Sequence, residues 1–252
     1  MATIGILGVG GLAGLMLRGL QGSGHRFILS PRGAEAAGRL AAEFGCIVAE
    51  SNQAVVDGAD AVFVSLPAGS GAEELSRLTF RAGQPVLSAM AGTGLARLAE
   101  VIGPAKGAIG MMPGYANAYR MGPSLLYPKD LFWQDFLSHV GPVHMFDDEA
   151  EYTVAATFGA FSGATVAFMA HVIGWFEAQG LRPEVARALV AGTLRGNAEV
   201  LLREPRPLAE IAKGVTTPGG ITLQLLDILN GHGALTAWDE GLDAVLTRIS
   251  QR

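Results

Sequence analysis

Near its start the chain runs Ile4-Gly5-Ile6-Leu7-Gly8-Val9-Gly10-Gly11-Leu12-Ala13-Gly14. Residues 4–7 read as a buried strand, and Leu12, Leu15, Met16 and Leu20 recur at helical spacing. The Gly8-x-Gly10-x-x-Ala13 stretch must therefore turn a strand into a helix within a few residues. Gly8 allows the tight turn, Gly10 has no side chain to hold a pyrophosphate off the backbone, and Ala13 lets the helix pack closely on the strand. An anion then meets unpaired amides at a helix N-terminus. With 35 glycines in the chain, position carries the argument: the turn follows directly on a strand.

The rest of the first half repeats the alternation. His25–Leu29 reads as a second strand ending at Ser30-Pro31-Arg32-Gly33. In a dinucleotide fold this is where the adenine ribose lies, and an acidic residue here accepts from the 2′-hydroxyl of NAD. None precedes Glu35, whereas Ser30 and Arg32 offer donors and a positive charge, which suits the 2′-phosphate of NADP(H). A helix is predicted over 34–44, a strand over 46–49, and a helix over 54–59 capped at Ser51-Asn52. Further strands are predicted over 60–67, 85–90 and 108–112. The first of these is apolar enough to be buried on both faces, as parallel strands are, and its end at Ser65–Ala68 points at the cofactor. The pattern is that of an α/β, Rossmann-type, doubly wound parallel sheet. From Asp147 it becomes helical, over 148–178, 183–202, 207–213, 219–230 and 234–249. Two domains follow: an NADP(H)-binding Rossmann domain over 1–146 and an all-helical domain over 147–252.

The bulk properties exclude several alternatives. A net charge of −5 leaves no basic patch for nucleic acid. One cysteine, Cys46, in an apolar run, fits a structural thiol in a reducing cytoplasm. Neither metal-ligand spacing nor a Gly-x-Ser-x-Gly elbow occurs. No Asp, Glu, Lys or Arg lies between Glu151 and Glu177, a run long enough to cross a bilayer. Gly159, Ser162, Gly163 and Thr165 dilute it and no second such run exists, so a helix buried on every side, in the core or against a second copy, is expected rather than a membrane span. Gly159-x-x-x-Gly163 lets another backbone come close.

A second glycine motif, Val215-Thr216-Thr217-Pro218-Gly219-Gly220-Ile221-Thr222, stands where a helix begins. Pro218 fixes the chain, Gly219 and Gly220 leave two amides unshielded, and Thr217 and Thr222 add hydroxyl donors, so a carboxylate fits this nest. The motif resembles the Ser-Pro-Gly-Gly-x-Thr signature of pyrroline-5-carboxylate reductases. Gly8–Ala13, Ser30-Pro31, Asn52, Ser88–Gly92, Met112-Pro113, Gly122 and the closing helices agree with that family in order, so the resemblance covers essentially the whole chain.

The resemblance implies a Rossmann domain followed by a helical dimerisation and substrate domain, in a homodimer or dimer-based homo-oligomer, with the active site at the domain junction. It implies NADPH as hydride donor to the C=N carbon of a small cyclic imine acid, giving a proline-like amine. By position, Gly8, Val9, Gly10, Gly11 and Leu12 would hold the pyrophosphate, Ser30, Pro31 and Arg32 the 2′-phosphate, and Asn52 the adenosine. Leu66, Pro67 and Ala68 would lie on the ribose side, and Ala91, Met112 and Pro113 at the nicotinamide. Thr217, Gly219, Gly220 and Thr222 would bind the substrate carboxylate.

The chain also departs from the family. Gly110 and Gly114 replace the arginine and asparagine that flank Met-Pro; Phe158-Gly159-Ala160-Phe161-Ser162 replaces Ser-Gly-Ser-Gly-Pro, and Ala155 a polar residue before it. An altered pocket for a different or bulkier imine is the expectation. Tyr115, Tyr119 and His171 are the candidates for proton transfer near the junction, with Thr222 beside the substrate. Two competing readings are a hydroxyacid dehydrogenase and a non-catalytic NADP(H)-binding protein. The first needs a lysine on the long helix, and the only lysines are Lys106, Lys129 and Lys213; the second has no use for a retained carboxylate nest.

Overall fold

The structure is a computed structural model that describes residues 1–251. Its strands are β1 (Thr3–Leu7), β2 (Arg26–Leu29), β3 (Ile47–Val48), β4 (Ala61–Val64), β5 (Pro85–Ser88), β6 (Lys106–Met111), β7 (Ser124–Tyr127) and β8 (Val143–Met145). Between them lie α1 (Gly11–Gly19), α2 (Ala34–Phe44), α3 (Asn52–Gly58), α4 (Gly71–Ser76), α5 (Leu95–Ile102), α6 (Tyr115–Ala118) and α7 (Leu131–Ser138). The rest is helical: α8 (Glu149–Ala156), α9 (Phe158–Ala178), α10 (Pro183–Arg203), α11 (Leu208–Gly214), α12 (Ile221–Gly231) and α13 (Ala234–Ser250).

The strands form one sheet in the order β3-β2-β1-β4-β5-β6-β7-β8. The first six are parallel, as predicted, and β7 then runs antiparallel to β6 with β8 parallel to β7. The period of two along each strand sorts the core into two layers. Ile4, Ile6, Ala61 and Phe63 pack with Met16 and Leu17 of α1, Leu40 of α2 and Trp133 and Phe136 of α7. Leu7, Val62 and Val64 point the other way, against Val55 of α3, Leu75 of α4, Leu98 of α5 and Tyr152 of α8. Cys46 packs at the margin of the first layer, and burial pushes its thiol up to about 11, as a structural cysteine requires.

The chain divides into two compact units, one of residues Met1–Gly159 with the end of α13 from Leu246, the other Ala160–Val245. The first holds nearly all of the buried hydrophobic residues. In the second, Ala186 and Val190 are the buried ones among the described residues. The helix predicted over 148–178 is broken at Thr157 into α8 and α9. By length and composition the whole run could cross a membrane, yet none of the residues of α9 is buried within this chain. Phe161, Phe168, Trp175, Leu202 and Ile221 are exposed as well. Of the two settings expected for the apolar helix, the core of this chain is therefore excluded.

At the N-terminal edge of the sheet, His25 meets Phe136 and His139 of the α7 segment edge-on, with ring centroids 5.7 and 5.8 Å away. The Ala2 amide donates to its Nδ1 over 3.3 Å. Burial lowers the His25 pKa below 6.5, with nearby His139 adding to it and Asp135 opposing. The unfolded chain then takes up this proton more readily than the folded one, so the contribution is complete above about pH 6.5 and is lost as pH falls through that value towards the folded pKa. His25→Gln is expected to flatten the fall in urea-melt stability between about pH 7 and pH 5. An unchanged slope would contradict this origin.

Candidate active site

The strand order reverses between β1 and β4, and ligands of such sheets lie outside the strand C-termini at that reversal. Here the glycine turn is pressed against the end of β4. Gly8 has φ +94°, and a Cβ on it would stand 2.6 Å from the Ser65 carbonyl oxygen. The Ser65 hydroxyl donates to the Gly8 carbonyl over 2.7 Å, and the Gly8 amide donates to Ser30 Oγ over 3.4 Å. The ends of β1, β2 and β4 are thus locked together. Gly10, by contrast, has nothing within 4 Å of where a Cβ would go, and as N-cap of α1 it offers no side-chain cap. The first-turn amides of α1 stay open to an anion.

On the adenosine side the pair Ser30 and Arg32 divides its roles. Ser30 is buried and its hydroxyl serves the turn; Arg32 stands exposed after Pro31 and pairs with Glu74 of α4. Nothing in the sequence announces Glu74, which lies 42 residues away. Ser51, as N-cap of α3, accepts from the Ala54 amide over 3.0 Å, and the next residue, Asn52, has its Oδ1 buried without a partner. That orphaned acceptor is suited to a donor on an adenosine. Gln53 holds α3 through a reciprocal pair with Thr79, both bonds 2.9 Å, and Gln84 secures its far end on the Val56 and Ala59 carbonyls.

Beyond β4, Leu66 is buried while Pro67 is exposed and Ala68 half-buried; Ala91 is exposed after β5. Met112 after β6 points into the core, so only its backbone and the half-buried Pro113 face outward. The predicted cofactor residues therefore follow the C-terminal ends of β1, β2, β3, β4, β5 and β6, which are contiguous in the sheet. A cleft of about 510 Å³ opens beside Ala91, lined also by Thr93, Met111, Glu149, Tyr152 and Thr153. Burial, aided by Glu149, raises the Tyr152 pKa strongly, which keeps the phenol neutral.

The departures from the family pattern have structural causes. A Cβ on Gly110 would stand 3.0 Å from the Leu125 carbonyl, so a side chain there would need β7 to give way by a few tenths of an ångström. Gly114 has φ +82°, and its amide donates over 2.9 Å to Asn117, a buried residue whose own amide donates to the Gly122 carbonyl. Asn117 is therefore a latch for the turn rather than a free polar group, and it leaves Tyr115 and Tyr119 exposed. Ala155 and Phe158 pack against the second core layer, so these two exchanges fill the fold.

In the second unit, Thr217, Gly219, Gly220 and Thr222 form one turn at the start of α12. Gly219 has φ +71° and the Gly220 amide donates to the Thr217 carbonyl over 2.9 Å. The exposed Thr217 and Thr222 hydroxyls make no hydrogen bond among the described residues, whereas that of Thr216 is spent on the Ala212 carbonyl at 3.0 Å. His171 is exposed on α9, a different helix, and Tyr115 belongs to the first unit. Lys106 and Lys129 are held in ion pairs with Asp130 and Asp147, and Lys213 lies on α11. None sits on the long helix, where a hydroxyacid dehydrogenase needs its lysine.

A family model described as "NADP oxidoreductase coenzyme F420-dependent" matches residues 3–92, and one described as "Pyrroline-5-carboxylate reductase dimerisation" matches residues 152–252. Pyrroline-5-carboxylate reductase of Pseudomonas aeruginosa is 27% identical over 98% of this chain and 96% of its own length. Among solved structures, 1-pyrroline-5-carboxylate reductase from Streptococcus pyogenes superposes with a TM-score of 0.90 at 21% identity, covering 100% of this chain and 99% of that one. Pyrroline carboxylate reductase from Plasmodium falciparum, solved with NADP bound, gives 0.86 at 16% identity over 98% and 97%. Fold, glycine turn and matches together define an NADP(H)-dependent oxidoreductase. Over essentially its whole length the chain is similar to pyrroline-5-carboxylate reductases. Its helical part matches that dimerisation model, in keeping with the uncovered apolar surface of α9.

Gly8 and Gly10 separate folding from binding. Gly8→Ala is expected to destabilise the protein by about 2 kcal/mol or more, through positive φ and the clash with Ser65. Gly10→Ala should melt within about 2 °C of wild type, because its methyl meets no protein atom, yet bind NADPH at least about tenfold more weakly if the pyrophosphate sits on this turn. Thermal melts beside NADPH titrations check both. A Gly10→Ala protein with unchanged affinity would remove the pyrophosphate from this turn.

Proposed function

We propose that this chain is an NADPH-dependent reductase of a small cyclic imine that carries a carboxylate, delivering hydride to the C=N carbon and yielding a proline-like amine. The observation that carries the reading is the Thr217–Thr222 turn, with two free hydroxyls and a helix N-terminus, in a chain that also holds an open dinucleotide cradle. NADPH, when bound, supplies the hydride. The amides of Gly10, Gly11 and Leu12 hold its pyrophosphate, Arg32 its 2′-phosphate and the Asn52 acceptor its adenosine. Leu66–Ala68, Ala91 and Met112-Pro113 line the ribose and nicotinamide side.

Gly219, Gly220 and the Thr217 and Thr222 hydroxyls hold the substrate carboxylate and so orient the ring. A protonated imine brings its own proton; otherwise Tyr115 or His171, both open to solvent, can relay one from water. The departure at Gly110, which lines the cleft beside Ala91, is the support for a pocket altered towards a different or bulkier imine. The functional form is a homodimer or a dimer-based homo-oligomer, and 1–146 and 147–252 act as cofactor and substrate domains. A cytoplasmic setting fits the single reduced cysteine.

The test is NADPH oxidation at 340 nm with pyrroline-5-carboxylate, pyrroline-2-carboxylate, piperideine-2-carboxylate and a cyclic imine lacking the carboxylate. Turnover of at least one imine acid, and little or none of the last compound, is expected. Thr222→Val should lower kcat/KM for the acid by about 10- to 100-fold, the worth of one charge-assisted hydrogen bond, while leaving the KM for NADPH unchanged. No turnover of any imine by protein that binds NADPH would overturn the reductase reading in favour of a non-catalytic NADP(H)-binding protein.

A further inference from the structure

The end of β2 carries no acidic residue, and that absence is the sequence argument for NADP(H). The fold supplies one from elsewhere. Glu74, in the first turn of α4, reaches across to Arg32 and forms an ion pair with it. The two side chains differ in setting: Arg32 is 66% exposed, whereas Glu74 is only 20% exposed and thus held in place on the protein side of the pair. Its neighbour Glu73 turns away, is 71% exposed, and pairs with Arg77 one turn further along.

The consequence is electrostatic. A guanidinium alone would attract a 2′-phosphate and form bidentate hydrogen bonds with it. With a carboxylate already on one of its nitrogens, the local charge is close to zero, and an incoming phosphate must share Arg32 with a group of its own sign. A ribose 2′-hydroxyl faces no such opposition and can donate to the same carboxylate.

We propose that Glu74 is a specificity-determining residue for the dinucleotide: paired with Arg32, it restores from α4 the carboxylate missing at the end of β2 and holds down the preference for NADPH over NADH. The inference rests on the assignment of Arg32 to the 2′-phosphate, and the experiment separates the two.

Dissociation constants for NADPH and NADH are measured by nicotinamide fluorescence on the full-length protein without substrate. Glu74→Gln should tighten NADPH about tenfold, a magnitude in keeping with a partly screened charge pair, and leave NADH unchanged or weaker. Glu74→Ala should move the ratio in the same direction, which guards against a fold defect in one variant. Glu73→Gln, which removes the same charge from the same turn, should leave the ratio as in wild type. Arg32→Ala should weaken NADPH selectively. A ratio unmoved by both Glu74 variants, with Arg32→Ala still selective, overturns the role of Glu74 alone. If Arg32→Ala weakens both dinucleotides equally or neither, the 2′-phosphate assignment itself fails. An equal shift in Glu73→Gln assigns the effect to net charge and also overturns the proposal.

Discussion

The contact between Gly8 and the Ser65 carbonyl is the constraint on which the cofactor half of the molecule is built. A side chain at residue 8 would collide with backbone, and backbone cannot rotate aside as a flexible side chain can. Because that space is free, β1 and β4 end at the same level, Ser65 and Ser30 close on the turn from either side, and α1 starts with its amides pointing outward. The reversal of strand order then leaves a crevice at that level, and the residues along its rim come from six strand ends in sequence-distant places. Arrangement of the rim is thus a property of the sheet, with the glycine turn fixing its centre.

The two units solve the burial problem differently. The first covers both faces of an eight-stranded sheet with its own helices and leaves little apolar surface at its centre. The second is made of helices whose apolar residues remain largely uncovered within one chain, as expected of a dimerisation domain. Its stability is then coupled to assembly and, by mass action, to protein concentration.

Much of this was legible in the sequence because it depends on local periodicity. The glycine turn, six parallel strands and the ranges of α10 to α13 follow from spacing and punctuation within a few residues. The strands β7 and β8 did not, since Ser124–Tyr127 and Val143–Met145 are four and three residues long and gain their meaning only from pairing with β6 and with each other. The same limit hid the partners of the site. Arg32 meets Glu74 across 42 residues, Ser65 meets Gly8 across 57, and Asn117 takes its latch role from Gly122, Ser124 and Val140. Phe158 and Ala155 illustrate a further limit: a substitution seen against a family motif does not say which way the side chain points, and both pack, half-buried, against the second core layer.

Direct hydride transfer to the imine carbon is the central claim, and isotope transfer tests it most directly. Pyrroline-5-carboxylate or the preferred imine acid is reduced with NADPH carrying deuterium at C4 of the nicotinamide, once in each of the two C4 configurations, and the product is analysed by mass spectrometry and NMR. One configuration should give an amine with a single deuterium on the former C=N carbon, and the other an unlabelled amine. Unlabelled amine from both, or label from both equally, would contradict a fixed nicotinamide held over the imine by this cradle.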